Sequence, residues 1–466
     1  MAQSTQTFQS ANPARPADIV GEFRTADPAE ATAVMGSAAA AQRLWARQPP
    51  SQRAVIVGGI GHALARETHE VAALITREEG KTLPESRGEV LKAAQQFLFA
   101  SQLAYLGEGA TFPDEEPDTL TYTVREPVGV VVAITPYNFP ISLPARKIAA
   151  ALALGNAVVF KPSPVTPACG DLLVRVAREA GLPEGVLQII HGHEPSSMAA
   201  MLGHPSTAAV TFTGSDRAGD AVRKSTNGSV RVQMELSGHN ATIVCADADL
   251  EAAATDVATA AFGLAGQACT STDRVLVAAE VFEDFRRALA ARVATISVGA
   301  GDSAGVTCGP VATAEQQHRL LALAVGARDA GARVVAEAAL PPGTDGYFVA
   351  PTVFENVPED HPLAAAEIFG PYTVLVPVAD AATAVRMVNE GRHGLVSAVY
   401  TRDTHTALRC ARDLQVGIVK LNRRTTGNGI APPFGGWKAS SAGGYPEGGR
   451  QAVDFFTAVK TVYGGF

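Results

Sequence analysis

The chain is poor in cysteine, in surplus basic charge and in long apolar runs, and each shortage excludes a class of protein. Cysteine occurs 5 times in 466 residues, at 169, 245, 269, 308 and 410, with no Cys-x-x-Cys pair. That density rules out a disulfide framework and points to a reducing, cytoplasmic setting in which any cysteine with a role acts singly. Lys and Arg number 38 against 46 Asp and Glu, a formal charge of −8. A nucleic-acid-binding chain would ordinarily show the opposite surplus. No stretch reaches the ~18 uninterrupted apolar residues of a membrane span. The most apolar segment, 128–134, soon meets Pro136 and Pro140 and reads as a buried strand. The first residues lack the basic start and apolar core of a signal peptide. Two nucleotide signatures are also missing: no G-x-G-x-x-G follows a strand, and there is no Walker A loop. His191-Gly192-His193 reads as a solvated turn without a third ligand, so no metal is expected.

What is present suits a large soluble globular protein. The composition is 47% hydrophobic and 18% charged, and the length predicts about three structural units. The first ~25 residues are polar and Pro-containing and read as a surface arm. Segments 31–45, 52–69 and 86–105 carry apolar residues at helical spacing. From residue 129 the rhythm becomes strand, helix, strand. Strands are expected at 130–134, 157–160, 187–190 and 209–212, and helices at 143–153, 169–180, 196–202 and from Asp216. Alternation of this kind builds a parallel sheet with helices on both faces and a ligand site at the strands' carboxyl ends. A second series begins near Ala241, with Asp249 as a helix N-cap, a strand at 275–277 and helices at 280–296, 316–330 and 382–389. A β-prone tail at 455–463 needs a partner, and the exposed strand at 119–124 is the isolated candidate.

The chemistry gathers at a few motifs. Small residues flank the thiol in Gly266-Gln267-Ala268-Cys269-Thr270-Ser271, so substrate and backbone can approach it closely. The other four cysteines lack such a context and read as structural. Thr135-Pro136-Tyr137-Asn138-Phe139-Pro140 places an amide at a strand's carboxyl end. Phe160-Lys161-Pro162-Ser163 repeats that placement with an amine. Phe212-Thr213-Gly214-Ser215 opens a helix whose free N–H groups suit a pyrophosphate. Glu235, in Met234-Glu235-Leu236-Ser237-Gly238, stands between the two series.

Taken in order with EIFGP at 367–371 and PFGGWKAS at 433–440, these motifs resemble the aldehyde dehydrogenase superfamily from about residue 20 to the end. The resemblance implies two Rossmann-like three-layer α/β domains joined by a bridging β-hairpin. It divides the chain into a cofactor domain (1–105 and 127–236), a catalytic domain (237–449) and an oligomerisation element (106–126 and 450–466). It implies Cys269 as the nucleophile, its thiolate favoured by nearby dipoles and the cofactor's positive nicotinamide. It implies Asn138, with the Cys269 N–H, as oxyanion donor, and Glu235 as general base for thioester hydrolysis. NAD or NADP would be held by Thr135, Pro136, Lys161, Ser163, Pro164, Gly214, Ser215, Leu236, Glu367 and Phe369.

Departures from the family pattern carry information. Pro164 stands where NAD-preferring members often have Glu, which removes a carboxylate that would repel a 2′-phosphate. NADP is therefore expected to be tolerated or preferred. Ser237 replaces a frequent Gly, with a local effect expected. Arg146 matches the position with which semialdehyde-oxidising relatives bind a carboxylate, while Gly263 stands where they carry a second Arg. The segments 422–428 and 455–461 resemble 2-oxoglutarate-semialdehyde dehydrogenases, whereas 161–164 and 235–240 lean toward benzaldehyde dehydrogenases. A homodimer or tetramer acting on a small aldehyde is implied. Relatives that pass the thioester to coenzyme A commonly lack the Glu, and a non-catalytic relative could lose the Cys; both residues are present here.

Overall fold

The structure, a computed structural model, describes residues 6–192, 194–340, 342–343 and 345–465. Four helices open the main body: α1 (Pro28–Trp45), α2 (Pro50–Arg66), α3 (Thr68–Glu79) and α4 (Leu83–Leu103). Helix α4 starts at a capping box. Thr82 Oγ1 accepts from Glu85 N, and Glu85 Oε2 accepts from Thr82 N. Such reciprocal bonds satisfy donors that a helix start leaves open.

The first sheet has six strands in the order Ser441–Ala442, Arg231–Glu235, Thr207–Thr213, Val130–Ile134, Ala157–Lys161, Leu187–Ile189. All neighbours are parallel except the short Ser441–Ala442 edge. Every residue of Val130–Ile134 and of Ala157–Lys161 is buried, as expected for strands covered on both faces. Full burial of each Val or Ile side chain stabilises by roughly 1.5–3 kcal/mol. Helices α5 (Ser142–Ala153), α6 (Pro167–Glu179), α7 (Pro195–Leu202) and α8 (Asp216–Ser225) connect the strands. The chain runs outward from Val130–Ile134 in one direction, then returns to add Thr207–Thr213 on its other side. That reversal opens a crevice between two strand ends, where ligands bind in sheets of this kind.

A second sheet of seven strands has the order Arg333–Glu337, Thr352–Glu355, Tyr372–Val378, Thr272–Ala278, Asn240–Val244, Val396–Tyr400, Ile418–Leu421. Only its first strand is antiparallel to its neighbour. A third sheet joins Thr457–Gly465, Thr119–Pro127 and Thr111–Phe112. The tail strand pairs with Thr119–Pro127 in one unbroken antiparallel register from Thr457↔Pro127 to Gly465↔Thr119. This is the pairing expected for two otherwise isolated strands.

Some expectations are corrected. The N-terminal segment is not a surface arm; Thr7–Asn12 and Arg15–Arg24 form an antiparallel hairpin. Asp18 on it pairs with Arg77 of α3 at 2.6 Å. Residues 451–456 are a short helix, so the tail strand begins at Thr457. Arg231–Glu235, absent from the expected strands, is a strand of the first sheet. His191 Nε2 lies 2.8 Å from Asp171; His193 is outside the described residues. Among the described residues, no group of three His, Cys, Asp or Glu is placed to hold a metal ion, and no helix is long and apolar enough to cross a membrane.

Candidate active site

Four loops converge at the carboxyl ends of the first sheet. Strand Val130–Ile134 delivers Thr135, Pro136 and Asn138, and Ala157–Lys161 delivers Lys161, Ser163 and Pro164. Thr207–Thr213 delivers Gly214 and Ser215, and Arg231–Glu235 delivers Glu235 and Leu236. With Glu367, Phe369 and Cys269 from the second half of the chain, all of these except Glu235 line one cavity of about 510 Å³. Ser215 caps α8, its Oγ accepting from Ala218 N at 3.3 Å; such a cap is worth about 1 kcal/mol. The dipole of α8 therefore opens at the cavity. Lys161 Nζ donates only to the Pro162 carbonyl, at 3.3 Å, and has no acidic partner among the described residues. Burial lowers its pKa to about 8. The Glu367 carboxyl, raised to about 8 first by burial and then by the charge of Asp273, accepts from Gly238 N at 3.0 Å.

A second cavity, of about 400 Å³, reaches Cys269 from the other side. Cys269 and Leu143 line both, so the thiol stands where two chambers meet. Arg146, on α5, lines the second one, its guanidinium 4.8 Å from the Phe434 ring centre.

The loop that carries Cys269 is held in a conformation that ordinary residues avoid. Leu264 and Ala265 have φ of 53° and 49°, and residues held there cost about 1–3 kcal/mol each unless neighbours fix them. Glu85 Oε1 of α4 fixes the turn by accepting from Leu264 N at 2.8 Å. Gly266 follows with φ 70°, and a Cβ there would stand 2.0 Å from the Gly370 carbonyl. One turn along α4, Glu89 Oε1 accepts from Ile141 N and Ser142 N at 2.9 and 3.0 Å. Its other oxygen meets Lys81 Nζ at 2.6 Å, and Lys81 Nζ donates to the Asn138 carbonyl at 2.5 Å. Two carboxylates of one helix thus hold the Asn138 loop and the Cys269 loop in register. Asn138 Nδ2 donates to the Gln267 carbonyl at 2.6 Å, which ties the two loops directly.

Glu235 is 2% exposed at the end of its strand and lines neither cavity. One carboxylate oxygen faces Ser441 Oγ at 3.3 Å, and the other has no partner. Its pKa is driven well up, first by burial and then by the neighbouring Glu447 charge, while Lys147 opposes the rise. Glu447 itself pairs with Lys147, whose Nζ also donates to Thr211 Oγ1 at 3.1 Å. The Cys269 thiol is pushed up to about 12, by burial first and then by the charges of Glu367 and Glu235, with Arg146 acting in the other direction. Of these neighbouring charges, Arg146 is the one that favours the thiolate. Cys169, Cys245, Cys308 and Cys410 are buried.

The chain matches the aldehyde dehydrogenase family over residues 1–462. The chain belongs to that family. It is 37% identical to an alpha-ketoglutarate semialdehyde dehydrogenase of Haloferax volcanii, covering 99% of this chain and 96% of that one. A 2,5-dioxopentanoate dehydrogenase of Saccharolobus solfataricus is 36% identical, with 99% and 97% covered. Among solved structures, an E. coli NADP-dependent enzyme superposes with TM-score 0.94 at 29% identity, covering 99% of this chain and 95% of that one. Betaine aldehyde dehydrogenase of Staphylococcus aureus in complex with NAD+ does so with TM-score 0.94 at 28% identity, covering 99% and 92%. This aldehyde dehydrogenase accordingly has the two-sheet α/β fold of its family and carries out NAD(P)-dependent aldehyde oxidation.

The motifs of this aldehyde dehydrogenase that line the 510 Å³ cavity were legible as strand-end segments. Glu85, Glu89 and Lys81 were not, nor were Gln316 and Arg319, which line the 510 Å³ cavity and donate to the Phe369 and Ile368 carbonyls. The available signal was the four-residue spacing of Glu85 and Glu89, which puts both on one helix face.

Proposed function

We propose that this aldehyde dehydrogenase oxidises a carboxylate-bearing semialdehyde of the 2,5-dioxopentanoate type to its acid, with hydrolysis as the final step. The observation that carries the reading is Cys269 at the junction of two chambers. One has an unpaired amine and a helix start for a dinucleotide; the other has Arg146. The names of the two relatives reported above support the substrate class. An aromatic aldehyde is the second reading, favoured by Phe139 and Phe434 on the second chamber's wall.

The dinucleotide fits the first chamber. Lys161 lacks an acidic partner there, α8 opens there, and Glu367 has acceptor capacity left. Lys161 and Ser163 would take the adenosine ribose side, with Gly214 and Ser215 at the pyrophosphate. Glu367 would take the nicotinamide ribose, and Phe369, Thr135, Pro136 and Leu236 would pack around the ring. Pro164 leaves no carboxylate against a 2′-phosphate, so NADP is accepted.

Cys269 Sγ, once deprotonated, bonds to the aldehyde carbon and gives a thiohemiacetal whose oxygen carries the charge. Asn138 Nδ2 and the Cys269 N–H receive that oxyanion. A donor of this type is worth roughly 2.7–4 kcal/mol in the transition state. A bound oxidised nicotinamide, held beside Glu367 and Phe369, would supply the acceptor for the hydride that leaves this carbon, and Cys269 would be left carrying a thioester. Glu235, swung away from Ser441, removes a proton from water; the hydroxide adds to the thioester carbon, and the C–S bond breaks to free the acid and the thiolate. Its raised pKa makes the ionised carboxylate a stronger base than an ordinary one.

The outer edge of Thr457–Gly465 has no partner strand among the described residues, and exposed edges of this kind are ordinarily covered. A homodimer or tetramer that covers it follows, and a stable monomer in light scattering would contradict it. The activity is tested with a panel of aliphatic, aromatic and carboxylate-bearing aldehydes, each with NAD and NADP. The highest kcat/KM is expected for a semialdehyde, with NADP within about 100-fold of NAD. A clear preference for aromatic aldehydes would overturn the substrate reading.

A further inference from the structure

Helix α4 sends a single face toward the substrate chamber. Glu85, Glu89, Lys92 and Gln96 recur at i, i+4, i+7 and i+11, which is helical spacing, and all four line the 400 Å³ cavity. The first two are consumed by structure. Glu85 bonds Thr82 and Leu264, and Glu89 bonds Lys81, Ile141 and Ser142. Gln96 serves α5: with its amide turned so that its O and N match their neighbours, it donates to the Ser142 carbonyl at 2.7 Å and accepts from Arg146 Nε at 3.2 Å. That leaves the terminal nitrogens of Arg146 free of any acidic partner among the described residues.

Lys92 remains. It makes no ion pair and no side-chain hydrogen bond among the described residues, although it is only partly exposed. Arg424, on the same cavity wall, likewise has no acidic partner there. Three cations therefore line a chamber whose two carboxylates are already bonded elsewhere. Burial and the Arg146 charge lower the Lys92 pKa to about 8, so the ammonium is held in a setting that an incoming anion would relieve. Cations gathered without counter-charges around a cavity that ends at a nucleophile call for a ligand with an anionic end and an electrophilic end.

We propose that Lys92 is a specificity-determining residue that binds the substrate's carboxylate together with Arg146 and Arg424, in the chamber where Gly263 leaves the nucleophile loop without a charge of its own. This assignment rests on the carboxylate-bearing substrate proposed above. Lys92 lies on α4 and Arg146 on α5, both lining the chamber that Cys269 also lines, so the carboxylate is gripped from two elements while the aldehyde points at Cys269.

The test compares 2,5-dioxopentanoate with pentanal, an uncharged aldehyde of equal chain length, in the full-length enzyme and in Lys92→Met and Lys92→Arg. Charged hydrogen bonds of this kind correspond to about a ten- to hundredfold effect. The Lys92→Met change is expected to lower kcat/KM for 2,5-dioxopentanoate at least about tenfold more than for pentanal, through KM rather than kcat. Lys92→Arg should restore most of it. Calorimetry without cofactor should show the product dicarboxylate binding more weakly to Lys92→Met. A wild-type enzyme with no preference for the charged aldehyde overturns the substrate reading and this assignment with it. A wild-type preference that survives Lys92→Met intact, with unchanged dicarboxylate binding, overturns the Lys92 assignment alone. Equal losses on both aldehydes would show a structural role and also overturn it.

Discussion

The two chambers that meet at Cys269 are built in different ways. The 510 Å³ chamber, proposed above for the dinucleotide, is made from neighbouring strand ends of one sheet, each contributing a short contiguous motif: Thr135–Asn138, Lys161–Pro164, Thr213–Ser215. The substrate side is assembled from α4, α5, the strained 264–266 turn and the 424–434 segment, which are distant in sequence. A sheet's switch point fixes the first kind of site by topology alone. The second kind depends on side chains that cross between elements, and so it tolerates change.

The comparison breaks most severely at the residue both chambers share. Cys269→Ala should abolish aldehyde-dependent NAD(P)H formation, by at least about 10⁴-fold, as for other nucleophile deletions. The loss should appear with every aldehyde and both cofactors. Residual turnover within tenfold of wild type would refute the mechanism.

A smaller effect separates the oxyanion donor from the helix that supports it. Asn138→Ala should lower kcat about 10²- to 10³-fold. Glu89→Gln leaves the amide in place but weakens the hold on Lys81, Ile141 and Ser142. It should cost about tenfold in kcat with little change in cofactor KM, because a misplaced donor is felt mainly in the transition state. If Glu89→Gln instead acts only on cofactor binding, the division between the chambers is wrong.

The smallest effect is a shift along the pH axis. In the proposed mechanism deacylation requires ionised Glu235, so its rate rises with pH through the Glu235 titration. Glu447 pushes that titration upward and Lys147 pushes it downward. Glu447→Gln removes the first and keeps the second, so the acid limb of steady-state kcat should move to lower pH. An unmoved or upward-moved limb would show that Glu447 does not act on Glu235.

The same contrast marks what sequence reasoning could reach. The parallel first sheet and its ligand-bearing strand ends were legible because apolar runs and polar motifs alternate there without interruption. The pairing of Thr119–Pro127 with the tail was legible because each lacked another partner. The N-terminal hairpin was not: its half-exposed TFQSAN and RPADIVGEFR strands show no clean apolar face, and prolines lie between and within them. Arg231–Glu235 was missed because two of its five residues are charged. At the site, Cys269, Asn138 and the cofactor-side residues came from contiguous motifs. The Glu85 and Glu89 supports and the raised Cys269 thiol depend on burial and on charges from other elements, which no local pattern reveals.

The central claim is that Cys269 and Glu235 divide the reaction, the first making the thioester and the second opening it. A rapid-mixing experiment on Glu235→Gln tests this most directly. The account predicts a burst of NAD(P)H close to one equivalent per active site, followed by steady-state turnover at least about 10²-fold slower than wild type. A variant that loses the burst itself would contradict it, because Glu235 would then be needed before the hydride leaves.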